Sequence, residues 1–114
     1  METKNWIEII KESVYVAMNE KLEICTFNNN NIYIYYKCGG ELTFRISRDL
    51  ITISTPKGYI NINYSLTDRE KLEIDSLMLS IKEYNEDMAI SEVEDFVSSI
   101  KVDHEIKDIN DLDD

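Results

Sequence analysis

The 114-residue chain is poor in the residues that most often carry chemistry: it has three glycines, one proline, one histidine and two cysteines. Each scarcity excludes a class of function. Gly39, Gly40 and Gly58 fall at expected turns, and none belongs to a strand–glycine-rich loop–helix unit that could cradle a phosphate. His104 stands among acids near the end of the chain, with no nucleophile and orienting group spaced to complete a triad. Two cysteines and one histidine fall short of the three or four ligands that zinc takes, and the carboxylates show no EF-hand spacing. Acids are abundant, but no two can be assigned the contrasting environments that general acid–base catalysis needs. No apolar run approaches the roughly 18 residues of a bilayer span. Residues 1–5 carry no basic segment leading into an apolar one, so no signal peptide is expected. The expectation is a cytoplasmic protein that is not an enzyme, binds no cofactor or metal and avoids membranes.

What the chain has in excess is negative charge. Its net charge is −11, with 23 acids against 12 bases, and the imbalance is confined to one end. Residues 1–65 hold seven acids and seven bases, whereas residues 66–114 hold sixteen acids and five bases. Binding to a nucleic acid backbone needs the opposite sign, because affinity comes from Lys and Arg displacing counterions. Anionic membrane surfaces are disfavoured for the same reason. A basic partner is favoured on encounter, although the same acidity also serves solubility alone. Isoleucine, asparagine, lysine and tyrosine make up 43 residues against nine of alanine, glycine, proline and arginine together, a codon bias that points to a low-GC bacterium or one of its phages.

Hydrophobic periodicity gives the organisation. Residues 3–21 read as a helix, with Thr3 as N-cap, Trp6 as a core anchor and Ile7, Ile10, Val14, Ala17 and Met18 at three- and four-residue spacing. Residues 22–64 change to a period of two. Strands are expected at 22–27, 32–37, 41–47, 50–54 and 59–64, joined by the Asn28–Asn31 run, Gly39-Gly40, Arg48-Asp49 and Thr55-Pro56-Lys57-Gly58. Thr67–Glu70 fits a capping box opening a helix whose buried stripe is Ile74, Leu77, Met78, Ile81, Tyr84 and Met88. Ser91–Glu94 fits a second box, opening another helix with Val93, Phe96, Val97 and Ile100 on its core side. The fold class is therefore α+β: an N-terminal helix, a five-stranded antiparallel meander, two C-terminal helices and an acidic tail. Residues 1–101 would form a single domain. Residues 102–114 would form a frayed tail whose Val102, Ile106, Ile109 and Leu112 could still dock or order on a partner. If the first hairpin centres on Asn29-Asn30, Cys25 faces Ile34 and Cys38 faces Lys21, about 13 Å apart along the strands and beyond disulfide reach. Both thiols are expected free.

Two surfaces suit a binding protein. One is acidic: Glu73, Glu83 and Asp87 recur on the face opposite the Ile74–Ile81 stripe, and Glu92, Glu94 and Asp95 extend the same sign. The other is the face of the meander bearing Tyr33, Tyr35, Tyr59, Thr43, Arg45, Asn61 and Asn63, where tyrosines beside polar tips resemble a protein-binding patch unless a helix covers them. In size, acidity and codon-biased composition, though in no shared motif, the chain resembles small phage-encoded anti-defence proteins, anti-CRISPR inhibitors among them. That resemblance implies an inhibitor that imitates DNA and blocks the basic groove of a nucleic-acid-binding protein. The same acids would suit an immunity protein or antitoxin against a cationic nuclease toxin. The tyrosine face would suit a structural or adaptor protein.

Overall fold

The computed structural model describes the backbone of residues 5–112 and the side chains of residues 5–101. Its elements follow the order α1 (Trp6–Asn19), β1 (Glu23–Phe27), β2 (Asn31–Tyr35), β3 (Glu41–Ile46), β4 (Leu50–Thr55), β5 (Gly58–Asn63) and α2 (Asp68–Leu112). The sequence divides into two compact units, Met1–Lys82 and Glu83–Asp114.

In the first unit the five strands form one antiparallel sheet in sequential order. Strand periodicity sends Ile24, Ile32, Ile34, Phe44, Ile46 and Ile51 to one face, where all six are buried. From α1, Ile7, Ile10, Val14 and Ala17 pack there, and α2 adds Ile74, Leu77, Met78 and Ile81. α1 and the Asp68–Lys82 stretch of α2 lie over this face. One groove is lined by α1 with Ile34 and Leu42, and two others by α2 with Thr26 and with Ile46. Ile60 shares the face but lies on the edge strand β5, beyond helix cover, and is exposed.

Local chemistry sets the ends of the elements. Asn5, not Thr3, caps α1, its side chain accepting from the Glu8 N–H at 3.2 Å; Thr3 itself lies outside the described residues. The helix closes on Lys21 with φ +60°, while Leu22 N–H donates to Ala17 O at 2.9 Å and Lys21 N–H to Met18 O at 3.1 Å. This pair is a Schellman closure that glycine normally occupies. Trp6, expected as a core anchor, is half-buried, and so is Tyr64.

Two hairpins differ from their expected geometry. Asn28 and Asn29 both take positive φ, so Phe27 pairs with Asn31 and Cys25 with Tyr33, one residue away from the expected Ile34. The second connection is a five-residue loop, Tyr36–Gly40, closed by Tyr36 N–H to Gly40 O at 3.0 Å. Cys38 therefore sits in that loop and pairs with no strand residue. Gly40 is required there: its φ is +90°, and an added Cβ would lie 3.0 Å from the Pro56 ring.

The largest correction concerns the C-terminal third. One helix, α2, replaces the two expected, and its backbone continues through residues 102–112, where an acidic tail was expected. The Ser91–Glu94 signal can start a helix, but nothing stops the preceding one. Residues 68–112 contain no glycine and no proline. At the true start, Thr67 and Glu70 form the reciprocal box, with Glu70 N–H to Thr67 Oγ1 at 3.1 Å and Thr67 N–H to Glu70 Oε1 at 3.0 Å. Tyr64 donates its hydroxyl to the other Glu70 oxygen. The expected core stripe of Val93, Phe96, Val97 and Ile100 is exposed, Phe96 at 63%.

Two outcomes follow from this packing. Phe44→Ala should cost about 3–5 kcal/mol in urea unfolding, whereas Phe96→Ala should cost below about 1 kcal/mol. The Tyr64 bond, and then the Thr67 N–H, hold the Glu70 carboxyl below its ordinary value of 4.5. The bond to Glu70, and then burial, hold Tyr64 above its ordinary value of 10.0. A lowered acid stabilises above its unfolded pKa and stops doing so as pH falls through the folded one, so the stability gap between wild type and Glu70→Gln should close below about pH 4. A raised tyrosine loses its contribution as pH rises through the alkaline range. A gap that stays constant from neutral to acid pH would remove Glu70 from this role.

Candidate protein-binding surfaces

The acids singled out from the sequence all lie on α2, but in different units. Glu73 belongs to the first unit and is half-buried, close enough to Lys11 and Tyr64 to contribute to raising both pKa values. The main influence on Lys11 is its hydrogen bond and ion pair with Glu8 at 3.2 Å, one turn away on α1. Glu83, Asp87, Glu92, Glu94 and Asp95 belong to the second unit and are exposed. At about 100° per residue, Glu83, Asp87 and Glu94 fall within roughly 40° of one another, whereas Glu92 and Asp95 point to other sides of the helix. The six sequence-selected acids therefore do not make a single face.

Charge density matters more than alignment. With Glu86 added, six acids lie between Glu83 and Asp95, a rise of about 18 Å, or one charge per roughly 3 Å. One strand of duplex DNA carries a phosphate every 3.4 Å. None of these carboxylates takes part in an ion pair among the described residues. Across Glu83–Asp114 the sequence has twelve acids and two bases, so nearly all of the net charge belongs to this unit. Sequence reasoning missed Glu86 because it lies off the stripe of three- and four-residue spacing used to select the others.

The second surface is the sheet face turned away from α1 and the Asp68–Lys82 stretch of α2. Cross-strand register brings Cys25, Tyr33, Thr43, Ser54 and Tyr59 into one row, and Asn31, Arg45, Thr52 and Asn61 into the next. Tyr59 is 70% exposed, Arg45 and Asn61 are exposed, and Tyr33 and Tyr35 are half-buried among their neighbours. Partial desolvation raises the Tyr35 pKa, with Cys25, Glu41 and Glu23 adding to it. Asn31 donates to the Tyr33 hydroxyl at 3.2 Å while its own Oδ1 is buried without a partner, and Thr52 donates to Asn61 Oδ1 at 2.8 Å. The face is thus a pre-ordered polar and aromatic platform. Neither helical segment of the first unit covers it.

The grooves of the first unit are open. An apolar one of about 340 Å³ between α1 and the sheet presents a single carboxylate, Glu12. A more polar one of about 610 Å³ mixes Arg48 and Lys71 with Asp68 and Asp75. Among the described residues, no group of three or more His, Cys, Asp and Glu side chains is placed to hold a metal ion, and no helix is long and apolar enough to cross a membrane. Comparison with protein-family models, curated proteins and solved structures finds no match to this chain.

Both cysteines are free, Cys25 half-buried in the tyrosine row and Cys38 exposed in its loop. Alkylation of the unreduced protein should modify both, Cys38 first. An intact mass two hydrogens lighter, with no alkylation, would show a disulfide and contradict the hairpin geometry.

Proposed function

We propose that this protein is a small acidic inhibitor that binds another protein, presenting carboxylates to a basic, nucleic-acid-binding groove and so blocking it. One observation carries the proposal: Glu83–Asp114 holds twelve acids and two bases, while the rest of the chain is nearly neutral. The exposed carboxylates between Glu83 and Asp95 approach the charge density of one DNA strand, and Glu83, Asp87 and Glu94 present three of them on one side to a groove built for that strand. Complementary potential of this kind acts chiefly on the encounter rate. An immunity protein or antitoxin acting on a cationic nuclease would use the same surface, and the nature of the captured partner separates the two.

A second reading rests on the uncovered sheet face. Tyr33, Tyr35 and Tyr59 beside Arg45 and Asn61 would serve an adaptor whose binding depends on rigid aromatic contacts rather than charge.

Capture from a low-GC bacterial lysate at low and high salt, followed by competition with duplex DNA, tests the first reading. It expects a basic nucleic-acid-binding protein, released by salt and displaced by DNA. Replacing Glu83, Asp87 and Glu94 by Gln, Asn and Gln keeps helix and shape while removing three charges from one side. Stability should hold or rise slightly, since the Glu83–Asp87 repulsion is relieved. Association should slow by about tenfold at low salt, with a shallower salt dependence. Tyr33→Ala and Tyr35→Ala should leave binding unchanged. If the tyrosine variants fail while the charge variant binds as before, the adaptor reading replaces the inhibitor reading.

A further inference from the structure

From Ala89 to Lys101 every side chain of α2 is exposed, including Ile90, Val93, Phe96, Val97 and Ile100, each 42–63% accessible. Their positions are not scattered. At about 100° per residue, Ile90, Val93, Val97 and Ile100 fall within roughly 80° and Phe96 lies at the margin, giving an apolar stripe about 120° wide. The steps of three, four and three residues are those of a seam that packs against another helix. Helices in proteins take most of their stability from such packing.

The charges beside the stripe say what kind of helix would cover it. Glu83 and Glu94 flank it on the Ile90 and Val97 side, and Glu92 on the Phe96 side. A second copy laid on the seam would bring its own twelve acids and two bases against the first set. Like charges at flanking seam positions disfavour pairing, whereas lysine and arginine there favour it. We propose that this stripe docks an amphipathic helix of the partner protein, with apolar residues at three- and four-residue spacing and basic residues on both flanks. The inference deepens the proposed function and rests on it for the sign of the partner's charge. It adds an apolar seam to a contact that charge mimicry alone would leave purely electrostatic.

The full-length protein can be titrated with a synthetic peptide roughly four heptads long, carrying leucine at the two seam positions of each heptad and lysine on the flanks. A scrambled peptide of the same composition is the control. The patterned peptide should bind at least about tenfold more tightly than the scrambled one, and Val93→Ser with Val97→Ser should abolish that difference. Glu83→Gln with Glu94→Gln should weaken both peptides alike. Because these side chains are exposed, the variants should keep the wild-type circular dichroism and unfolding midpoint. Equal binding of both peptides to the wild type would overturn the seam while leaving the charge-based function standing. Sedimentation equilibrium provides the other decisive outcome. A wild-type dimer that becomes monomeric with Val93→Ser and Val97→Ser would give the stripe to a second copy and overturn the proposal.

Discussion

Only one face of the five-stranded sheet is apolar enough to need covering, and the fold depends on how that face is buried. Strand periodicity puts Ile24, Ile32, Ile34, Phe44, Ile46 and Ile51 on a single side, and α1 and the first four turns of α2 close over it. Once Ile74, Leu77, Met78 and Ile81 are seated, the apolar residues from Ile90 onward lie outside the first unit. The opposite side of the sheet, with its tyrosines, Arg45 and Asn61, needs no cover because its tips are polar. Core and candidate binding surfaces are thus two consequences of one asymmetric sheet.

Much of this was legible in the residues. The alternation in Leu42–Ser47 and the aromatic and β-branched run at Ile32–Tyr36 identify strands because their pleat places alternate residues on opposite faces. Thr67 and Glu70 announce the start of α2 because their spacing lets each side chain satisfy the other's free N–H. Pro56 marks a turn whose geometry it pre-sets. What misled was treating start signals as boundaries. Ser91 and Glu94 repeat the capping pattern, yet a start signal does not end the helix that precedes it, and neither glycine nor proline occurs after Thr67 to break it. The register of the first hairpin was hidden for a related reason: four consecutive asparagines all tolerate positive φ, and only the folded chain selects Asn28 and Asn29 for it.

The candidate surfaces were legible in part. Charge asymmetry is a property of composition and is readable without coordinates, whereas exposure is not. Val93, Phe96, Val97 and Ile100 have the spacing of a core stripe, and that spacing is identical whether the stripe packs within its own chain or against another. For the tyrosines the ambiguity ran the other way, since Ile32, Ile34 and Tyr36 alternate with Tyr33 and Tyr35 and leave both faces of β2 apolar in composition. Tertiary placement resolves both cases, burying the isoleucines and opening the helix stripe.

The central claim is that Glu83–Lys101, and not the sheet, meets the partner. Amide hydrogen exchange of the full chain, free and bound to the captured partner, tests it most directly. The account predicts that amides between Glu83 and Lys101 exchange quickly in the free protein and become protected on binding, with β2, β3 and β5 unchanged. Protection that appears on Tyr33, Tyr35 and Tyr59 while Glu83–Lys101 stays unaltered would contradict it.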